Sequence, residues 1–217
     1  MQPIEAILFD PVGALAEFPS DEFDAIASQV LGRGPVAHEL GSEAYWEVLN
    51  LLDARGWRLD GSVRALVEDY EIRAVDRAWL YEDAAPALSE LTGLGIRLIV
   101  ASSLSEAALR RFLERFSLRD AFVDLWSRDT ADGIKCAPLT RALAAGALPP
   151  ARTMFLADTA AGLQAAKQAG VNGILMMNDP DEAMKLTAYD PAGGIVSLHE
   201  LPDFVRVVAA ENGRARG

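Results

Sequence analysis

Apolar residues fall along this chain in two alternating patterns. In the first, near-continuous apolar runs end abruptly on polar residues: Ile4 to Phe9 stops at Asp10-Pro11-Val12-Gly13, and Ile96 to Ala101 at Ser102-Ser103. Thr153 to Ala157 stops likewise at Asp158-Thr159, and Gly173 to Met177 at Asn178-Asp179-Pro180. Such runs predict strands buried on both faces, as in a parallel sheet covered by helices. In the second pattern apolar residues recur at helical spacing. Ala107, Leu109, Phe112, Leu113 and Phe116 predict a helix over 106–116, and Leu139 to Ala145 a shorter one closed by Gly146 and Pro149-Pro150. Ala161 to Ala169 is a third, stopped at Gly170. Strands alternating with helices predict an α/β core with a doubly wound, Rossmann-like parallel sheet.

Residues 16–82 break that alternation. Phe23, Ile26, Ala27, Val30 and Leu31 fall at helical spacing, and Ala44, Trp46, Val48, Leu49 and Leu52 do so more loosely. Ala65, Leu66, Asp69, Tyr70 and the stretch Ile72 to Ala78 suggest one or two more helices, and no strand pattern is convincing. The expected division is a core of 1–15 plus 83–217 and an inserted α-helical cap of 16–82. Trp46, Trp57 and Trp79 all lie in the insert, where they are expected to form its core rather than a stacking platform. Only Glu211 to Gly217 reads as a frayed tail.

Composition narrows the function classes. The chain has 217 residues, enough for one domain with an insert or two small domains, and 51% hydrophobic with 24% charged residues is a globular balance. Lys+Arg 20 against Asp+Glu 32 gives a net charge of −12, which argues against nucleic acid as partner. The apolar runs fall far below the ~20 residues of a membrane span, and no basic segment leads into an apolar run at the N-terminus. The single Cys136 permits no internal disulfide and no multi-cysteine metal cage. His38 and His199 are too few for a histidine-rich zinc site and are expected on the surface or in the core. The expectation is a soluble, acidic, cytoplasmic protein.

The strand ends carry the candidate chemistry. In an open parallel sheet, side chains at the carboxyl ends of the strands converge where ligands bind. Asp10, Ser102, Asp158 and the Lys135 region offer two carboxylates, a hydroxyl and an ammonium. One carboxylate can act as nucleophile while the second shares a hard cation with it. Ser102 and Lys135 can bind the oxygens of a transferring group whose charge the cation neutralises. By its parts this is a phosphoryl-transfer constellation.

Four segments then resemble, in order, the motifs of the haloacid dehalogenase-like hydrolases, in the helical-cap branch of β-phosphoglucomutase- and phosphoglycolate phosphatase-like members. Ile7-Leu8-Phe9-Asp10-Pro11-Val12-Gly13-Ala14-Leu15 resembles the first, apolar residues followed by D-x-D-G-T-[LV]. Leu98 to Ser103 resembles the second, which ends in Ser or Thr, and Gly133-Ile134-Lys135-Cys136-Ala137-Pro138 the third, G-x-K-P-x-P. Phe155 to Gly170 is similar to the fourth, with Asp158-Thr159 at its head and Ala165-Ala166 inside it. The resemblance implies Asp10 as nucleophile, Ser102, Ser103 and Lys135 as binders of the phosphoryl group, and Mg²⁺ on Asp10, Asp158 and the main-chain carbonyl of Val12. It implies a small phosphorylated metabolite as substrate, hydrolysed through an aspartyl-phosphate, with selectivity in the cap and the loop Phe18 to Asp21.

One departure bears directly on activity. Val12 stands where phosphatases of this family carry a second aspartate, the group that protonates the leaving group and activates water. General acid–base help is worth ~10² to 10⁴ in rate, so alkyl phosphates should suffer by about that factor. Ala14 and Cys136 also replace the usual Thr and Pro, and Gly162 stands where some members carry a second acidic residue. Phosphonatase-like members need a cap lysine, and the insert has none. The 2-haloacid dehalogenases carry a tyrosine at the place of Val12 and need no metal, which the retained Asp158 disfavours. The alternative from another class is a catalytically impaired relative that binds a phosphorylated ligand or a protein partner.

Each residue also has a plainer reading. Asp10 could be a turn residue, Asp158 or Ser102 a helix cap, and Lys135 a solvated lysine. Cys136 has no histidine near it in sequence to activate it as a nucleophile, and Arg110-Arg111 reads as a solvated helix face.

Overall fold

A computed structural model describes residues 3–31, 41–54, 61–178 and 180–214. Strand β1 (Ala6–Phe9) runs into a distorted turn, α1 (Pro11–Ala14), and a short strand, β2 (Ala16–Glu17). Helices α2 (Ser20–Leu31), α3 (Gly41–Ala54) and α4 (Gly61–Arg77) follow, then β3 (Trp79–Leu80). Helix and strand then alternate through α5 (Ala84–Gly93), β4 (Arg97–Ala101), α6 (Glu106–Arg115) and β5 (Asp124–Trp126). Next come α7 (Arg128–Ala131), α8 (Cys136–Ala145), β6 (Thr153–Ala157), α9 (Ala160–Ala169) and β7 (Asn172–Met176). The chain closes with α10 (Pro180–Leu186), β8 (Gly193–Ile195) and α11 (Glu200–Arg214).

Six strands form one parallel sheet in the order β5-β4-β1-β6-β7-β8. Alternate residues of its central strands feed two separate apolar layers. Ile7, Phe9, Leu98, Val100, Met154 and Leu156 face one, while Leu8, Ile99, Phe155 and Ala157 face the other. All four β1 side chains are fully buried, so truncating Leu8 to alanine should cost about 2–5 kcal/mol. This is the doubly wound α/β core with an inserted helical cap. The first layer is continuous with Val48 and Leu49 of α3 and Val67, Ala74 and Val75 of α4, so the helical segment shares that core. Phe18 stacks on Phe112 at 5.9 Å, and Arg115 donates to the carbonyls of Val75 and Ala78, both at 2.6 Å. Arg111 reaches Asp76 at 2.7 Å on the exposed side, and Arg110 pairs with Glu106 at 2.6 Å.

Several elements depart from the sequence pattern. The span 16–82 contains strands after all: β2 and β3 pair antiparallel, Ala16 against Leu80 and Glu17 against Trp79. This two-residue ribbon draws the two ends of the helical segment together and is too short to leave a period in the sequence. Residues 211–214 are not a frayed tail, because α11 runs through them. Leu201 and Val205 anchor that helix in the core, and extending a nucleated helix adds a hydrogen bond for each residue ordered. Trp79 is 59% exposed, so it is not cap core, whereas Trp46 is half-buried against the first layer. Trp57 and His38 lie outside the described residues, and His199 is exposed.

Candidate active site

Sheet register assembles the site. Phe9 pairs with Val100 on one side and Leu156 on the other, so Asp10, Ser102 and Asp158 emerge side by side from β1, β4 and β6. Ser102 Oγ donates to Asp10 Oδ1 at 2.9 Å, and the Val12 amide donates to the same oxygen at 3.3 Å. With Oδ1 so held, Oδ2 is the oxygen left to act. Ser102 is not the cap of α6. That role belongs to Ser105, whose hydroxyl accepts from Ala108 N at 3.1 Å, while Ser102 Oγ accepts from Leu104 N at 3.2 Å. Asp158 does not cap α9 either, because Thr159 Oγ1 accepts from Gly162 N at 3.1 Å. The Asp158 carboxylate is thereby left to the cleft.

Gly13 is the residue that allows the two carboxylates to share one place. Its φ of +70° is a left-handed conformation that favours glycine. A Cβ built there would lie 1.6 Å from Asp158 Oδ2, so no side chain fits while Asp158 keeps its position. The Gly13 carbonyl is fixed from the other side by Asn178 Nδ2 at 2.7 Å and Tyr81 OH at 3.4 Å. At Gly162 a Cβ would meet Ala157 Cβ at 2.7 Å, so a second acidic residue does not fit there.

Lys135 enters from the loop before α8. Its backbone sits at φ 58°, ψ −105°, strained for a residue with a side chain, and its amide donates to Ser103 Oγ at 2.9 Å. Asp10, Val12, Ser102, Ser103, Lys135 and Asp158 all line one cavity of about 30 Å³, room for about two waters. Its far wall is Tyr45 and Trp46 of α3; periodicity marks Trp46 only as helix interior and does not single out Tyr45. Phe18 and Asp21 do not line it: Phe18 packs on Phe112, and Asp21 pairs with Arg77 on the exposed face at 2.8 Å. Cys136 is half-buried, with Thr140 Oγ1 3.4 Å from its sulfur.

Burial pushes the Asp10 carboxyl up to about 6, against the hydrogen bonds from Ser102 and Val12. Burial and then the Asp10 charge push Asp158 up to about 7. Two partly buried carboxylates that repel each other, with no ion pair on either among the described residues, suit a hard divalent cation. Among the described residues no three or more His, Cys, Asp and Glu side chains cluster as a metal cage. Mg²⁺ commonly binds through one or two carboxylates plus water and phosphate oxygens, and this donor set fits that habit.

The pair also sets a pH dependence. Both folded values exceed the ordinary 3.8, so the native state holds extra protons. The resulting stabilisation is complete below about pH 4 and is lost as pH rises through about 6 and about 7. Without Mg²⁺, the urea midpoint of the native protein should therefore fall relative to Asp158→Asn between about pH 5 and pH 8, by the equivalent of a few kcal/mol at most. Adding Mg²⁺ should offset that loss at the alkaline end. Parallel curves without metal would show that the two carboxyls are not held protonated by their surroundings.

A family model described as haloacid dehalogenase-like hydrolase matches residues 43–176, more than half of the chain. The chain belongs to the haloacid dehalogenase-like hydrolases. The match includes Ser102, Lys135 and Asp158 and begins after the stretch Asp10 to Gly13. This chain is 31% identical over 137 residues to "Enolase-phosphatase E1" of Acidiphilium cryptum, covering 60% of this chain and 54% of that one. It is 28% identical over 123 residues to "Tyrosine-protein kinase PtkA" of Mycobacterium tuberculosis, covering 56% and 42%. The chain thus spans about half the length of the curated relatives it matches. Among solved structures, a haloacid dehalogenase-like hydrolase from Streptococcus pneumoniae superposes with a TM-score of 0.72 at 18% identity. That superposition covers 94% of this chain and 99% of that one, and it carries the fold alone. Among the described residues no helix is long and apolar enough to cross a membrane.

Proposed function

We propose that this hydrolase cleaves a small phosphate ester with the help of Mg²⁺, and that Asp10 is the nucleophile. The observation that carries the reading is the joint placement of Asp10 and Asp158 over Gly13, with Ser102 and Lys135 lining the same cleft. Asp10, Asp158 and the carbonyl of Val12 would hold the cation, which supplies charge neutralisation on the phosphoryl oxygens. Asp10 Oδ2 attacks phosphorus, the bond to the leaving oxygen breaks, and an aspartyl-phosphate forms. Water then attacks that phosphorus and frees the carboxylate. Ser102, Ser103 and Lys135 hold the transferring group, and closure of the helical segment excludes bulk water. The cap is taken as 16–82 against a core of 1–15 and 83–217. The cleft is narrow with Tyr45 and Trp46 standing over it, and lifting of the helical segment would widen it for a larger substrate. Tyr45 and Trp46 rather than Phe18 to Asp21 would then select the substrate.

The test is phosphate release from a panel of phosphorylated metabolites and acyl phosphates, with and without Mg²⁺. Turnover that survives EDTA undiminished, or an inert response to every phosphate, would count against this assignment. Val12 favours one other reading, a protein that binds phosphorylated ligands without turnover. Calorimetry with inorganic phosphate and Mg²⁺ separates the two, because a binder saturates while releasing nothing.

A further inference from the structure

Behind Tyr45 lies a buried polar cluster that the phosphoryl chemistry does not use. Glu71 of α4 is wholly buried and Arg128 of α7 is 2% exposed, and the two form an ion pair. Glu71 Oε1 also accepts from the Tyr45 hydroxyl, and Arg128 Nη1 lies 3.4 Å from that hydroxyl. Burial works against the guanidinium's charge, but the Glu71 carboxylate beside it outweighs that and keeps Arg128 cationic. A buried pair is a costly way to gain stability, since apolar residues of similar size often serve as well. What it does offer is direction.

Both partners reach the phosphoryl-binding side of the cleft. Glu71 Oε2 accepts from the amide of Ser105 at 3.0 Å. In a capping box a Glu three residues into the helix satisfies that amide, but here the position is Ala108, and the carboxylate comes from the helical segment instead. Arg128 Nη1 donates to the Ser103 carbonyl at 3.1 Å, and Ser103 Oγ accepts from the strained Lys135 amide at 2.9 Å. A continuous chain of bonds therefore runs from α4 through Glu71, Arg128 and Ser103 to Lys135.

The geometry points to Glu71 and Arg128 as positioning residues that couple the seating of the helical segment on the core to the Ser103–Lys135 wall of the cleft. The functional sense of this rests on reading that wall as the phosphoryl binder. When the segment seats, Glu71 neutralises and orients Arg128, which fixes Ser103 and through it the Lys135 backbone. When it lifts, Arg128 loses its counter-charge and the wall relaxes. The site is thus complete only when closed.

The double variant Glu71→Gln/Arg128→Met removes both charges together and should keep a urea midpoint near that of the native protein. Amide hydrogen exchange by NMR, without metal or phosphate, is then the readout. The Lys135 amide, whose acceptor Ser103 Oγ is untouched, should exchange about 10-fold faster or more, while β1 and β4 amides stay protected. If the double variant unfolds, Arg128→Lys keeps a charge beside Glu71 but loses the forked guanidinium, and it should speed the same amide. Unchanged exchange at Lys135 in a folded variant overturns the coupling. Protection of Lys135 in the native protein by inorganic phosphate with Mg²⁺ separately tests the phosphoryl assignment. Faster exchange in the variant without that protection would leave the positioning role and remove the phosphate.

Discussion

Asp10→Asn is expected to lower steady-state turnover of every phosphate substrate by on the order of 10³-fold or more while the protein stays folded. Asparagine is isosteric, and its Oδ1 can keep both bonds that hold the native side chain, from Ser102 Oγ and from the Val12 amide. What changes is the other branch, where an amide nitrogen with no available lone pair replaces the attacking oxygen. The same change removes half of the carboxylate pair, so Mg²⁺ should bind more weakly. Intact mass after an acid quench provides the direct check, since native protein mixed with a nitrophenyl phosphate should carry a phosphoryl adduct and the variant none. Native-like turnover in Asp10→Asn would end the case for covalent catalysis at this residue.

Val12 carries the second large effect. Its side chain lines the cleft beside Asp10 and packs partly on the apolar core, so no proton donor stands at that position. The leaving group must depart as an anion, which favours nitrophenyl and acyl phosphates over sugar or glycerol phosphates. The second step also lacks a base, so the aspartyl-phosphate should accumulate. A burst of nitrophenol close to one equivalent, followed by a slow steady state, is the expected trace. Val12→Asp should raise steady-state hydrolysis of alkyl phosphates by about 10²-fold, the lower end of general acid catalysis. The apolar neighbours that now hold valine would raise the new carboxyl's pKa, which suits an acid. Rapid turnover of an alkyl phosphate by the native protein, without a burst, would mean that another group supplies the proton.

The four central strands were legible because a strand buried on both faces is apolar at nearly every position, and β1, β4 and β6 each end where a polar residue meets the cleft. β5 and β8 were not, because Asp124-Leu125-Trp126 and Gly193-Gly194-Ile195 are short edge strands covered on fewer sides. Membership of the haloacid dehalogenase-like hydrolases was also readable, from four spaced motifs, three of them at strand ends and the third in the loop before α8. Which residues wall the cleft or stand behind that wall was a different matter. Trp46 fits helix interior, Tyr45 next to it gives no sign of a cleft, and nothing local marks Arg128 as buried. The one local sign was Glu71, a carboxylate on the buried stripe Val67, Tyr70, Ala74 and Val75. A sequence determines local periodicity and the chemistry available at each strand end, because both depend on neighbours along the chain. Whether Glu71 meets Arg128, or Gly13 leaves room for Asp158, depends on segments up to 145 residues apart in the chain. Only the packing of α4 on the core and the register of β1 against β6 decided them.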